Sequence, residues 1–384
     1  MNVLHLFSNS KWTGPAEPAL NLCVALRKRG IDAAFACAPG PSGAPNKVVE
    51  TARDRGIEPV LRFRLAKHRH PLSNMLDRIA LSRHLRERRY DLIHCHLDND
   101  HRIAAAPAKT HGVSLVRSSY EGGGFKGGRA RLLSTARFLI EPSAMAFERD
   151  AARFGFPRER MAVVAGAVDT RRFDPTRTVP DGRRWRGIAP DVFVVGIVAR
   201  LQRHRRYEDL FGAVRRLVDA GQNVRLVVIG RGTHQAKVGK EPVQRLGLES
   251  GVDFTGYLDG EEYVGMLNAF DAMVFLMPGS DGTCRTVREG MAMAKPVVAA
   301  DRGMLREIVE DGVTGFVVDG TVDSLFLALN RLAGDTHLRR RMGQAARDRA
   351  ATSYSLDAQS EAVARIYESV LSLGSKGLAR PEVP

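Results

Sequence analysis

Cysteine is scarce: the chain of 384 residues has four, Cys23, Cys37, Cys95 and Cys284, with no paired spacing. That scatter offers neither a zinc ribbon nor a disulfide framework, and a reducing cytosol is the expected setting. Aromatics make up only 7%, with two tryptophans, too few to suggest stacking platforms for single-stranded nucleic acid. Long apolar runs are missing too. The longest, residues 192–199, falls far short of the roughly 20 residues of a spanning helix. The opening MNVLHLFSNSK has no basic leader and a short apolar run, so a signal peptide is not expected. Acid is in deficit: 43 Asp and Glu stand against 58 Lys and Arg, for a net charge of +15. That balance favours anionic partners: nucleic acid, acidic lipid or a phosphorylated small molecule.

The remaining composition, 44% hydrophobic and 26% charged, is globular, and the length suggests two domains of similar size. Short β-rich runs alternate with amphipathic helical runs, the pattern of parallel sheets covered by helices on both faces. Strands are predicted at residues 3–7, 33–37, 91–95, 113–117, 138–141 and 161–164, with helices near 16–29 and 71–89. Residues 174–190, with proline and glycine among charges, have a linker composition. A second series of strands follows at 192–198, 224–229, 252–255, 272–276, 296–299 and 315–318, with helices near 207–220 and 356–373. The expected fold class is α/β, two Rossmann-like doubly wound domains facing a cleft, spanning 1–175 and 190–355. Such sheets bind ligands at the carboxyl ends of their strands.

Two segments at predicted strand ends carry chemistry. The loop Ala199-Arg200-Leu201-Gln202-Arg203-His204-Arg205-Arg206 sets fixed positive charge where the strand stops. A guanidinium pairs bidentately with phosphate oxygens, and one close pair attracts by about 4 kcal/mol at an effective dielectric of 20 before desolvation. The same residues read equally as a solvated basic loop. The second segment, Ser280-Asp281-Gly282-Thr283-Cys284-Arg285-Thr286-Val287-Arg288-Glu289-Gly290, is a glycine-containing loop entering a helix. Free N–H groups at such a terminus favour an anion. Asp281 and Glu289 lie two helical turns apart, so one could meet a sugar and the other a ribose diol. The plainer alternative makes Asp281 an N-cap and Glu289 a surface residue.

With these segments in view, the chain resembles the retaining, two-domain glycosyltransferases of family 4, with the GT-B fold. That family has a Glu, seven residues and a second Glu, here Asp281 to Glu289, and an Arg and Lys five apart, here Arg200 and Arg205. Residues 291–299, Glu307-Ile308-Val309, 311–315 and Val168-Asp169-Thr170-Arg171-Arg172-Phe173 resemble further family segments. The resemblance implies a donor diphosphate held by Arg200 and Arg205, with backbone N–H groups of Thr286 and Val287 added. It implies Glu289 on the ribose, Asp281 on the transferred sugar, and Gly282, Thr283 and Cys284 allowing close backbone approach. Gly230, Gly232, Tyr257 and Leu258 would line the nucleobase pocket, and Gly14 would approach the phosphates. Helix 356–374 would pack back on the first domain. No metal or resident cofactor is implied; the nucleotide sugar is a co-substrate, and the other substrate is a sugar or lipid-linked acceptor. Three departures stand out: Asp281 replaces Glu, Arg205 replaces Lys, and Tyr120 stands where the family often has His. His94, His96 and His101 are spaced unlike a helical zinc site, and His96 and Asp98 either serve the cleft or are structural.

The expected activity is metal-independent, retaining glycosyl transfer, in the setting of envelope polysaccharide, lipopolysaccharide or glycolipid synthesis. Alternatives are a catalytically silent scaffold, motivated by Tyr120 and Asp281, or a nucleotide-sugar epimerase or phosphorylase on the same fold. Nucleic acid is not expected as a partner, because the basic clusters lack interleaved aromatics. The basic helix near 71–89 is expected to pack its Leu and Met face on the first domain. Its other reading is peripheral contact with the anionic inner face of a membrane.

Overall fold

The computed structural model describes residues 1–40, 44–120, 125, 130–278 and 284–376. Its chain forms two compact units: Met1–Gly166 with the segment from Leu356 onward, and Ala167–Ser355. Each unit has a six-stranded sheet. The strands of the first are β1 (Asn2–Phe7), β2 (Asp32–Cys37), β3 (Leu92–Cys95), β4 (Ser114–Ser118), β5 (Phe138–Glu141) and β6 (Met161–Val163). Those of the second are β7 (Phe193–Val198), β8 (Val224–Ile229), β9 (Val252–Gly256), β10 (Ala272–Phe275), β11 (Val297–Ala300) and β12 (Gly315–Val318). The helices around them include α1 (Ala16–Lys28), α2 (Pro71–Glu87), α3 (Asp98–His111), α4 (Tyr207–Asp219), α5 (Arg285–Ala292) and α6 (Leu356–Lys376).

The sheet orders are β2-β1-β3-β4-β5-β6 and β12-β11-β10-β7-β8-β9, and all these strand pairs are parallel. Parallel sheets need both faces covered, and the sequence supplies that as near-continuous apolar strands. Because side chains alternate along a strand, Val3 and Phe7 of β1 enter one core and Leu4 and Leu6 the other. The first of these cores also contains Leu20, Cys23 and Leu26 of α1 and Val363, Ile366, Tyr367 and Val370 of α6. Helix α6 is therefore an integral wall of the first unit.

Residues 174–190, whose composition suggested a linker, belong to the second unit, which begins at Ala167. Arg347 donates to the carbonyls of Thr170 (3.2 Å), Phe173 (2.7 Å) and Ala292 (2.8 Å), and to the Asp174 carboxylate (3.0 Å). A short helix, Gly182–Trp185, also forms in this stretch.

Helix α2 overturns the expected packing. It buries Ser73, Asn74, Asp77, Leu81, His84 and Leu85, while Leu72 (68% exposed), Met75 (52%), Leu76 (43%) and Ile79 (54%) face outward. The polar face wins because its partners satisfy it. Asp77 accepts from the N–H groups of Arg64 (2.8 Å) and Leu65 (2.9 Å), and Asn74 and Asn99 exchange amide hydrogen bonds of 2.7 and 3.1 Å.

Candidate functional site

In the second unit both segments expected to meet phosphate follow strands, the first β7 and the second β10. After β7 the chain places Arg200 on the surface and then makes a 3-10 turn, Arg203–Arg205. Arg206 takes a left-handed conformation (φ 57°) that redirects the chain into α4. Tyr207 anchors this loop by donating to the Ala199 carbonyl at 2.8 Å. Arg205 is buried; one guanidinium nitrogen donates to the Met277 carbonyl at 2.5 Å, just beyond β10, and its charge lies 5.9 Å from the Phe275 ring centre. That contact ties the first basic segment to the chain just beyond β10.

Asp281, Gly282 and Thr283 lie outside the described residues. Cys284, buried and left-handed (φ 47°), caps α5, and Val287 turns its N–H back to the Cys284 carbonyl at 3.0 Å. The Thr286 hydroxyl donates to the Val198 carbonyl at 3.3 Å, which sets the start of α5 beside the end of β7. Glu289 is no surface residue. Its carboxylate accepts from the Tyr263 hydroxyl at 2.5 Å and pairs with Arg285 at 3.1 Å, buried at the second turn of α5. Burial and the neighbouring Glu289 charge push the Tyr263 hydroxyl well above its usual pKa, keeping it a donor.

Gly230 and Gly232 are explained first by the protein itself. A Cβ at Gly230 would stand 2.2 Å from the Ala199 carbonyl oxygen, and one at Gly232 would stand 1.9 Å from that of Leu201. The loop after β8 thus lies directly on the backbone that carries Arg200. Gly230 also donates to the Gly256 carbonyl at 2.8 Å, next to exposed Tyr257 and half-buried Leu258.

In the first unit, Gly14 is exposed in the loop between β1 and α1. Asp100, fully buried in α3, accepts from the N–H groups of Ser8 (3.1 Å) and Leu97 (2.9 Å), tying the loop after β1 to the loop after β3. Burial pushes its carboxyl up to about 7, opposed by Arg117 and those two N–H groups. Asp98 pairs with buried Arg117 at 3.1 Å. Tyr120, half-buried just past β4, contacts His96 Nδ1 at 2.7 Å, and burial pushes its hydroxyl up.

His96 belongs to a fully buried group with His5 and His94, whose ligand atoms all lie within 4.8 Å of one another. Hydrogen bonding uses all six ring nitrogens. His5 Nδ1 meets His96 Nε2 (2.9 Å), His5 Nε2 and His94 Nδ1 share Tyr367 (3.5 and 2.5 Å), His94 Nε2 meets Ser118 (2.8 Å), and His96 Nδ1 meets Tyr120. The His94 and His96 rings stack at 4.4 Å and 21°. His101 lies apart from this group, on Thr135 at 3.0 Å. Sequence reasoning passed over His5, Tyr263 and Tyr367. A histidine inside an otherwise apolar strand was the available signal for His5; Tyr263 sits in an unremarked helix, and Tyr367 lies in the helix expected to pack back on the first domain but was not singled out there.

Two doubly wound domains with basic and acidic groups at their strand ends define a nucleotide-binding α/β class, and comparison with known proteins specifies it. The model of "Glycosyltransferase Family 4" matches residues 13–172 and that of "Glycosyl transferases group 1" matches 181–349. The chain belongs to this glycosyltransferase family. It is 33% identical over 229 residues to a D-inositol 3-phosphate glycosyltransferase of Corynebacterium jeikeium, covering 57% of this chain and 54% of that one. It is 34% identical over 226 residues to a GDP-mannose-dependent alpha-mannosyltransferase of Mycolicibacterium smegmatis, covering 56% and 53%. The chain spans about half the length of the curated relatives it matches. Among solved structures, a glycosyltransferase from Rickettsia africae superposes with a TM-score of 0.80 at 14% identity, covering 96% of this chain and 98% of that one. Anabaena Alr3699/HepE in complex with UDP and glucose superposes at 0.76 and 21% identity, covering 96% and 100%. These likenesses establish the GT-B fold.

Proposed function

We propose that this chain transfers a sugar from a nucleoside-diphosphate sugar to an acceptor hydroxyl, with the donor held by the second unit. The observation that carries the reading is that Arg205 reaches the carbonyl just beyond β10 and Thr286 the last carbonyl of β7, with Glu289 buried one turn further along α5. In this reading Arg200 and Arg205 hold the diphosphate with the start of α5, and Glu289 takes the ribose. Gly230, Gly232, Tyr257 and Leu258 line the base; Asp281, Gly282, Thr283 and Cys284 serve the transferred sugar. Charge grows on the departing diphosphate as the sugar–phosphate bond stretches. Guanidinium and N–H groups already in place stabilise that charge more than they stabilise the ground state, which is what accelerates the step. The positive charge comes from protein groups, so transfer proceeds without metal, and the anomeric configuration is retained. Tyr120 stands on the acceptor side.

The test is melting temperature against UDP-, GDP-, ADP- and CMP-linked sugars, followed by transfer assays with and without a chelator. A ligand at 100 times its Kd adds about 2.7 kcal/mol of stability. We expect one nucleotide class to raise the melting point, Arg200→Ala to abolish that shift and lower turnover by orders of magnitude, and chelator to leave turnover unchanged. No shift with any donor sinks the reading in favour of a silent scaffold.

The setting we propose is polysaccharide or glycolipid assembly at an anionic membrane face. Among the described residues no helix is long and apolar enough to cross a membrane. Helix α2 instead presents Leu72, Met75, Leu76 and Ile79 outward, with Arg78, Arg83 and Arg86 exposed on the same helix. An apolar stripe beside basic groups suits the interface of acidic lipid, where each charge adds about 1 kcal/mol. Leu76→Glu with Ile79→Glu should abolish co-sedimentation with anionic vesicles at unchanged melting temperature; retained binding would remove the stripe from this role.

A further inference from the structure

Five contacts join six side chains of the first unit into one line. It runs Tyr120 Oη to His96 Nδ1 (2.7 Å), His96 Nε2 to His5 Nδ1 (2.9 Å), and His5 Nε2 to Tyr367 Oη (3.5 Å). It continues from Tyr367 Oη to His94 Nδ1 (2.5 Å) and from His94 Nε2 to Ser118 Oγ (2.8 Å). We propose that this line is a proton-ordered chain whose direction makes the Tyr120 oxygen a hydrogen-bond acceptor for an incoming hydroxyl. His96, His5, Tyr367 and His94 are then positioning residues for the acceptor side. The functional half of this inference rests on the transferase reading.

The line exists because of strand alternation. His5 of β1 is in register with His94 of β3, and His94, His96, Ser118 and Tyr120 share the parity that faces α6. Tyr367 reaches that face from α6 and is itself fully buried. Burial strongly disfavours imidazolium here: the His5 pKa falls to about 3, and those of His94 and His96 are driven well down. Each ring is therefore neutral, with one N–H and one bare nitrogen.

Tyr367 fixes the direction. It has one proton and two imidazole neighbours, and the phenolic O–H, a stronger donor than a neutral ring N–H, occupies the contact a full ångström shorter. His94 Nδ1 therefore accepts, and His94 Nε2–H donates to Ser118. Toward His5, Tyr367 offers only lone pairs, so His5 carries its proton on Nε2 and leaves Nδ1 bare. His96 must then donate from Nε2, which leaves its Nδ1 bare and draws the Tyr120 proton inward. Tyr120 keeps its lone pairs for the half-exposed side. The opposite order would put all three imidazole protons on Nδ1 and turn the Tyr120 proton outward.

The first test needs no substrate. Nitrogen-15 NMR of the full chain, labelled in histidine, reports which ring nitrogen is protonated, with signals assigned from single histidine substitutions. The proposal expects His5, His94 and His96 all neutral and protonated on Nε2. A proton on Nδ1 of any of them, a charged ring near neutral pH, or stoichiometric zinc uptake by the cluster overturns it. The second test uses transfer kinetics. Tyr120→Phe should raise the acceptor KM by about three- to tenfold, the worth of one hydrogen bond, with the donor-induced melting shift unchanged. Tyr367→Phe, which keeps the ring but breaks the line, should raise the same KM and leave His5 and His96 as tautomer mixtures. An unaltered acceptor KM in both variants overturns the functional half. Failure of the unaltered chain to transfer sugar at all counts against the transferase reading alone, while the tautomer readout still decides the chain.

Discussion

Two buried carboxylates show how much a single residue's surroundings decide. Glu289 is satisfied by Tyr263 and Arg285, so its position is fixed before any ligand arrives. Tyr263→Phe should remove a hydrogen bond to a charged group, costing about 1.5–3 kcal/mol in denaturant unfolding and weakening the nucleotide-induced melting shift. An unchanged shift would separate Glu289 from nucleotide binding. Glu141, at the end of β5, is the opposite case. It is fully buried, and burial together with nearby Asp150 pushes its carboxyl up from 4.5 to about 8, although Ser119, Arg117 and Arg149 oppose them. The folded state therefore holds this proton where the unfolded chain has lost it, so the group costs stability as pH rises from about 4.5 to 8. Glu141→Gln should flatten the decline in melting temperature over that window, and a parallel decline in both proteins would show that Glu141 is not its source.

At the scale of elements, all twelve strands were legible to within a residue or two, because parallel strands covered on both faces read as apolar runs ended by polar or glycine-bearing loops. The positions of the two loops proposed to hold phosphate were legible for the same reason: they follow strands. The orientation of α2 was not. Its apolar residues pointed to inward packing, and what decides against that are the N–H groups of Arg64 and Leu65 and the amide of Asn99, which lie outside the helix and carry no periodic signal. The histidine chain was better hidden still, since Tyr367 and His5 are separated by nearly the whole chain. Loop packing yields its own prediction. Gly232→Ala would drive a methyl into the Leu201 carbonyl and displace the Arg200 loop. We expect a lower melting temperature together with loss of the nucleotide shift; a wild-type response to nucleotide would show that this loop does not set the donor site.

For the whole molecule, the decisive feature is that the chain leaves the first unit after Gly166 and rejoins it at Leu356. The two crossings lie side by side: Val168 pairs with Ser355 and donates to the Tyr354 carbonyl at 2.8 Å. Truncation after Ser355 would strip Val363, Ile366, Tyr367 and Val370 from the first core. Each buried side chain of this kind is worth about 1.5–3 kcal/mol, so the sum rivals the 5–15 kcal/mol that holds an ordinary domain together. The truncated chain should keep a protease-resistant second unit and lose resistance in residues 1–166. The same connectivity bears on synthesis. A ribosome completes the second unit while the first still lacks its final wall, so the part made earliest is finished last. The nascent chain must carry an open apolar face, with His5 and His94 each short of one hydrogen-bond partner, until α6 clears the exit tunnel. Folding of the first unit is thus timed by α6.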